Sequence, residues 1–241
     1  MEVNEFNWCE ITWRIGHPWG NHHPDHHLSW CGKESVQINN NKLELGVIKQ
    51  NYDYNGENIP YNVGLVSSKD MFSYGEYEID AKLPESQNTW SSLWTCSYYG
   101  NWLHEFDICE SESNSKGTYN TKLFCGNLFK KSLVSTNVHY KDNNDIHHQI
   151  GAQWISKLKF INKIDINDYN TYKLVFQKDR IEYYINDNLI RKIADKKILG
   201  YINQSPYFYF ILNQEVNQKE FTDKNLSSIE PLIIKSIKKI K

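Results

Sequence analysis

Apolar and polar side chains alternate along several short segments of the chain, and this alternation constrains the fold more than any other feature of the sequence. Apolar residues occupy every second position from Tyr77 to Leu83, with Glu78, Asp80 and Lys82 between them. Successive side chains of a β-strand point to opposite faces of a sheet, so this segment can bury one face and expose the other. Similar patterns predict strands at residues 43–48, 63–68, 171–177, 181–186, 207–213 and 232–240.

Turn-forming pairs separate these segments at short spacing. Lys-Asp at 178–179 and Asp-Asn at 187–188 connect three predicted strands into a meander. Only residues 194–199 resemble a helix, and alanine, the strongest helix former, occurs three times in 241 residues. Aromatic residues, which favour strands, make up 14% of the chain. The pattern predicts an all-β protein, a two-sheet antiparallel β-sandwich or jelly roll.

Composition narrows the class of protein. No linker-like segment or internal repeat divides the chain, and single β-sandwiches often reach this length, so we predict one domain over residues 1–241. The balance of 27 basic and 29 acidic residues disfavours a protein that binds nucleic acid through bulk charge. A mean hydropathy of −0.67, without a long apolar run, predicts no membrane span. We expect a monomer.

Cysteine usage bears on the compartment. The five cysteines contain no Cys-x-x-Cys pair, which excludes a zinc ribbon or a thioredoxin-type redox centre, and their odd number favours free thiols. Residues 1–5 do not resemble the start of a signal peptide. These features suggest synthesis in a reducing compartment such as the cytoplasm, and the place of action stays open.

Three carboxylates stand in a Glu-x-Asp-x-x-Glu pattern within residues 90–112. Glu105 and Asp107 share one face of a strand because side chains repeat every two residues, whereas Glu110 lies at an odd offset from Glu105. A β-bulge between Asp107 and Glu110 would restore the parity and bring all three carboxylates to one face. Cys109 would then pack beneath them.

Three like charges on one face suit acid–base chemistry better than stability. A retaining glycosidase uses one carboxylate as nucleophile and another, about 5–5.5 Å away, as general acid/base. We therefore expect Phe106 and Ile108 to face the core, and the crowding to raise at least one carboxyl pKa, most usefully that of Glu110. A solvated acidic strand and a Ca²⁺ site are the alternatives. Aromatic residues, on which sugar rings stack, come just before the carboxylates: Trp90, Trp94, Tyr98, Tyr99 and Trp102.

At this point the chain resembles glycoside hydrolase family 16, the group of laminarinases, lichenases, agarases and carrageenases. The resemblance spans about residues 43–213, and it rests on the segments 64–69, 74–84, 90–94, 104–110 and 172–190. It implies a concanavalin A-like jelly roll with a concave substrate cleft. It also implies an endo-acting retaining hydrolase of internal β-linkages in a β-1,3-glucan or a related β-glucan or galactan. Family members are commonly secreted.

The resemblance assigns roles to the carboxylates: Glu105 is the expected nucleophile, Asp107 its assistant and Glu110 the general acid/base. The bulged spacing is closer to the laminarinase and agarase branches than to the lichenase branch. Residues 213–217 depart from the family, which often has a glycine-containing stretch there. The residues expected to contact the polysaccharide are Trp90, Trp94, Trp102, Tyr99, His139, Asn213 and Trp19.

The segment 17–27 holds five histidines and one aspartate in eleven residues. Such a set can bind Zn²⁺ or Cu²⁺, but this Pro- and Gly-containing segment lacks the fixed spacing of a strand or helix. We predict a loop that lines the cleft, without a metal site. We expect no cofactor, and a structural Ca²⁺ stays an open alternative.

Two other functions fit the same fold. A non-catalytic concanavalin A-like lectin, for example an adhesion protein of a virus or phage particle, would bind carbohydrate without cleaving it. A transglycosylase would transfer the sugar to another acceptor. A lectin has no need of three carboxylates on one face, so the pattern favours an enzyme.

Overall fold

The computed structural model describes residues 5–84, 86, 88–112, 134–151, 153–155, 168–219 and 221–241. In chain order the strands are β1 (Glu5–Trp8), β2 (Ile11–Ile15), β3 (Ser29–Cys31), β4 (Val36–Asn39), β5 (Lys42–Leu45), β6 (Val47–Tyr54), β7 (Glu57–Ser68), β8 (Gly75–Lys82), β9 (Thr89–Tyr98), β10 (Trp102–Glu112), β11 (Val134–Lys141), β12 (His147–Gln149), β13 (Gln153–Ile155), β14 (Asn170–Gln177), β15 (Arg180–Ile185), β16 (Asn188–Ile193), β17 (Tyr209–Val216) and β18 (Leu232–Lys239). The helices are α1 (Lys196–Ile202) and two 3₁₀ turns, Lys33–Ser35 and Asp223–Ser228.

The strands form two sheets. The larger has the order β1-β2-β7-β17-β9-β10-β11-β12, with β3 and β6 paired to β7 and β13 paired to β11. The smaller has the order β16-β15-β14-β8-β18-β5-β4. Neighbouring strands are antiparallel, apart from the parallel pairing of β3 with β7. The predicted all-β, two-sheet sandwich is confirmed.

The core lies between the two sheets because the alternating strands turn their apolar faces inward. Tyr77, Ile79 and Ala81 of β8 are at most 1% exposed. Phe106 of the larger sheet and Phe176 of the smaller meet edge to face, with ring centroids 5.0 Å apart. Burying one side chain of this size stabilises the fold by about 1.5–3 kcal/mol, so the alternation predicted from sequence also supplies the packing energy.

The predicted meander is present as β14, β15 and β16, with one turn displaced. The second turn is centred on Asn186 and Asp187, whose φ angles of +47° and +62° suit a type I′ hairpin, one residue earlier than predicted. The predicted helix begins two residues later, because the side chain of Asp195 caps it by accepting hydrogen bonds from the backbone N–H groups of Lys197 and Ile198.

Two predicted strands have different bounds. The segment 43–48 is divided at Gly46, where the chain passes from the smaller sheet to the larger. A Cβ on Gly64 would lie 2.8 Å from the Gly46 nitrogen, so this crossing needs glycine at residue 64. The segment predicted at 207–213 is β17, which continues to Val216 and so carries Glu215 into the larger sheet.

The cysteines in the described residues are free thiols, as expected: Cys31, Cys96 and Cys109 are buried and Cys9 is half-buried. Cys125 lies outside the described residues. None of the helices in this part of the chain has the length and apolar character that a membrane span requires.

Candidate active site

Strand β10 contains the predicted bulge. Asp107 pairs with Trp94 of β9, but Cys109 pairs with the next residue, Leu93, so β10 carries one extra residue. The pairing of β10 with β11 also shifts between Asp107 and Glu110. As a result all three carboxylates line one cavity of about 180 Å³ on the face of the larger sheet opposite the core.

The residues between the carboxylates face the other way. Phe106, Ile108 and Cys109 are at most 2% exposed and belong to the core between the sheets. Their placement confirms the expected orientation of the strand. The separation of the Glu105 and Glu110 carboxyl groups stays a prediction.

The Glu105 side chain is partly buried, and its carboxyl is crowded by other acids. Burial raises its pKa well above the usual value, and the nearby charges of Asp107 and Glu110 raise it further. The indole N–H of Trp102 donates to Oε2 of Glu105 at 3.0 Å, which opposes the rise by stabilising the ionised form. The crowding was expected to raise at least one carboxyl pKa, and the pKa of Glu105 is raised. A raised pKa of Glu110 stays a prediction.

Two tryptophans of β9 line the same cavity and hydrogen-bond its polar groups. Trp90 donates from Nε1 to Oε1 of Glu110 at 3.2 Å. Trp94 donates from Nε1 to Oδ1 of Asn213 at 2.8 Å. These bonds fix the orientation of both rings, so the predicted aromatic residues also position a carboxylate and an amide.

A second cavity opens beside Glu105 and is lined by Trp102, His139 and His147 as well. Nε2 of His139 lies 3.2 Å from Oδ2 of Asp107. Nδ1 of His139 lies 2.9 Å from Nε2 of His147, close enough for one ring to donate to the other. His139 therefore connects the central carboxylate to a histidine that was not predicted at the site.

Two of the predicted contact residues lie outside both linings. Tyr99 is in the turn between β9 and β10 and is 47% exposed. Trp19 stacks on His17, with the two ring centroids 4.6 Å apart. A direct sugar contact by either residue stays a prediction.

The loop histidines and one further acid complete the cavity. His17, His23 and His26 line it together with Glu215, the buried residue of β17. The loop therefore lines the cavity, as predicted. Glu215 was not predicted there; the departure of residues 213–217 from the family pattern was the available signal.

One group in the described residues has the donor atoms to hold a metal ion. The ligand atoms of Glu105, Asp107 and His139 lie within 4.8 Å of one another. These are also the groups suited to acid–base chemistry, so a cation there would compete with the proton. Within the described part of the chain the loop histidines form no such group, and the expected lack of a metal site there stays a prediction.

A two-sheet β-sandwich with three carboxylates and two tryptophans in a cavity on one sheet face has the architecture of a jelly-roll glycoside hydrolase. The family model described as Glycosyl hydrolases family 16 matches residues 23–211, and the chain belongs to this family.

Curated relatives are distant in sequence. The chain is 23% identical over 217 residues to glucan endo-1,3-beta-glucosidase A1 of Niallia circulans, covering 82% of this chain and 29% of the relative. It is 28% identical over 170 residues to the keratan-sulfate endo-1,4-beta-galactosidase of Sphingobacterium multivorum, covering 66% of this chain and 35% of the relative. The chain thus spans only about a third of the length of these two relatives.

Solved structures share the fold. LamAcat from Zobellia galactanivorans matches with a TM-score of 0.69 and 19% identity, covering 93% of this chain and 88% of that one. The laminarinase catalytic domain from Thermotoga maritima matches with a TM-score of 0.68 and 19% identity, covering 94% of this chain and 90% of that one. The jelly-roll fold expected from the sequence is confirmed.

Proposed function

We propose that the chain is an endo-acting, retaining glycoside hydrolase that cleaves internal β-linkages of a β-1,3-glucan or a related β-glucan or galactan. The observation that supports this most is the bulge of β10, which brings Glu105, Asp107 and Glu110 to one cavity. The names of the two curated relatives specify a 1,3-glucan and a galactan. A related structure from Zobellia galactanivorans, 18% identical, holds laminaritriose and laminaritetraose.

The carboxylates suit a double displacement. Glu105 attacks the anomeric carbon and forms a glycosyl ester, while Glu110 donates a proton to the departing glycosidic oxygen. Glu110 then takes a proton from water, whose oxygen attacks the anomeric carbon and releases Glu105. The hydrogen bond from Trp90 holds Glu110 in position for both proton transfers. No step uses a cofactor.

The protonation of Glu105 depends on its neighbour. A nucleophile must be ionised, yet burial and the charge of Asp107 raise the pKa of Glu105. In this proposal the Asp107 side chain hydrogen-bonds Glu105 and stabilises the ionised nucleophile during the attack. His139, 3.2 Å from Asp107, helps to hold that carboxyl in place.

The two cavities support endo action. Glu105 lines both, with Trp90, Trp94 and Asn213 on one side and Trp102 and His139 on the other. A polysaccharide that crosses β10 can therefore place sugar residues on each side of the cleavage point. In this proposal these five residues contact the sugars directly, Tyr99 and Trp19 extend the surface, and one monomer suffices.

The test combines a substrate panel with isosteric variants. Laminarin, mixed-linkage glucan, agarose and carrageenan are incubated with the protein, products are sized, and their first-formed anomer is determined by NMR. We expect internal cleavage of at least one, with retention. Glu105→Gln and Glu110→Gln should abolish most turnover, because an amide cannot act as nucleophile or proton donor.

The matched control is Glu57→Gln, at an exposed acid on β7, which should retain activity. Near-wild-type hydrolysis by either cavity variant would disprove the assigned roles, and an inverted anomer would disprove the double displacement. Tight binding of a polysaccharide without any cleavage would favour the lectin, and products longer than the substrate would favour a transglycosylase.

A further inference from the structure

The end of the cavity formed by the histidine loop contains a buried ion pair outside the proposed chemistry. Glu215 is 4% exposed and pairs in register with Trp90 of β9. Its Oε2 lies 2.5 Å from Nδ1 of His26. Charged side chains are seldom buried in this way unless paired, so the contact explains how an acid is tolerated at this position.

Hydrogen bonds hold the loop against the sheet at both ends. The side chain of Asn21 donates to the carbonyl of Cys31 at 2.6 Å. The backbone N–H of Leu28 donates to Oε1 of Gln218 at 2.8 Å, and Gln218 in turn donates to Oγ of Ser29 at 2.9 Å. The histidines therefore form a fixed wall beside Glu215, as a preorganised binding site requires.

A second polar side chain in this wall is buried, and one of its ring nitrogens is unpartnered in the described residues. His17 lines the cavity and is 2% exposed, and within the described residues its Nδ1 has no hydrogen-bond partner. A buried polar atom without a partner costs free energy, and a ligand hydroxyl that bonds to it removes this cost. Burial lowers the pKa of His17 to about 4, so the ring is neutral at pH 7.

The charges in this cavity are mainly negative. Four carboxyl groups line it, those of Glu105, Asp107, Glu110 and Glu215. Burial opposes ionisation of Glu215, but the charge of His26 outweighs it, and the pKa of Glu215 is lowered. The pKa of His26 is raised, whereas that of His23 is lowered by burial. His26 is thus the one histidine here that favours a positive charge.

We propose that Glu215, His26 and His17 form a subsite for one uncharged sugar residue, and that Glu215 excludes a sugar carrying a sulfate or carboxylate at this position. The inference rests on the proposed function and specifies its substrate. A carboxylate offers about four lone-pair directions, so Glu215 can bond His26 and still accept sugar hydroxyls. An anionic substituent would enter a partly desolvated cavity lined by four carboxyl groups, where His26 is already paired with Glu215 and is not free to balance a further negative charge.

The experiment compares one neutral polysaccharide that the wild type cleaves with its chemically sulfated derivative. Glu215→Gln keeps the shape and removes the charge. We expect this variant to lose about tenfold in kcat/KM on the neutral substrate, mostly through KM, and to lower the preference for the neutral over the sulfated form by about tenfold or more. Asp25→Asn, at an exposed acid of the same loop, is the control and should change neither value.

A second variant separates the charge effect from misfolding. His26→Gln removes the cation that keeps the buried Glu215 carboxyl ionised, so the preference for the neutral substrate should fall at pH 7, as in Glu215→Gln. Raising the pH should restore the preference in His26→Gln, which keeps the carboxyl, but not in Glu215→Gln. Equal preference in the wild type and Glu215→Gln would overturn the subsite while leaving the hydrolase intact. If the wild type cleaves nothing, the proposed function fails. Affinity electrophoresis in a neutral polysaccharide and in its sulfated derivative then still tests the subsite. Equal retardation of the wild type and Glu215→Gln in both polysaccharides would overturn the subsite.

Discussion

Replacing His104 with glutamine should make the fold more tolerant of acid. His104 is 1% exposed, and its ring stacks on Phe106 with centroids 4.9 Å apart. Nε2 lies 2.7 Å from the carbonyl oxygen of Ser205, so it carries the proton of the neutral ring. A second proton would go to Nδ1, which is buried and has no hydrogen-bond partner in the described residues. Burial therefore lowers the pKa of His104 from 6.5 to about 4.

The size of the effect follows from this difference in pKa. The unfolded chain takes up the proton near pH 6.5 and the folded chain only near pH 4, so the unfolded state gains protons first as the pH falls. The folding free energy contributed by neutral His104 is complete above pH 6.5 and is lost as the pH falls towards 4. At about 1.4 kcal/mol per unit, the loss reaches about 2 kcal/mol at pH 5 and about 3 kcal/mol at pH 4.

The assay is guanidinium unfolding at pH 7.5 and pH 5.0, followed by tryptophan fluorescence. Glutamine can still donate to the Ser205 carbonyl but does not titrate. Between the two pH values, His104→Gln should lose about 2 kcal/mol less free energy of unfolding than the wild type does. His27→Gln, at an exposed histidine, should match the wild type. Equal losses in His104→Gln and the wild type would refute the assignment of acid sensitivity to His104.

Three further outcomes follow from contacts described above. The acid limb of kcat/KM should have an apparent pKa above 4.5, the ordinary value for Glu, because burial raises the pKa of Glu105; a limb at or below 4.5 would contradict this raised pKa. Asp195→Ala should cost about 1 kcal/mol in a denaturant titration and Asp195→Asn much less, since asparagine also caps helices; equal costs would exclude capping as the cause. Phe106→Ala should cost about 3–5 kcal/mol by the same measurement, and a cost under about 1 kcal/mol would contradict its place in the core.

The carboxylate strand could be predicted closely because parity is a local property. The offsets between Glu105, Asp107 and Glu110 require a bulge if the three share a face, and nothing distant in the chain changes that count. The directions of Phe106 and Ile108 follow from the same parity. The sandwich was predictable for a related reason, since alternation within each strand determines which face is buried.

The rest of the cavity depends on contacts between distant segments. The predicted strand ended at Asn213, two residues before Glu215. The burial of Glu215 depends on His26, which comes from a loop near the start of the chain. His147 reaches His139 only because β12 pairs with β11. The periodicity of one segment does not show which distant residue will contact it. The sequence therefore suggested that the histidine loop lines the cleft, but not that the loop contacts Glu215.

The bond-breaking groups and the walls of the cavity come from separate parts of the chain. One hairpin, β9 and β10, supplies Glu105, Asp107 and Glu110 together with Trp90 and Trp94. The rest of the lining is supplied by the loop after β2 and by the end of β17, which pairs with β9. Substitutions in that part of the lining can change which polysaccharide fits while the hairpin keeps its register and its core contacts. Selection for a new substrate can therefore act on the loop and on β17 without rebuilding the reaction centre.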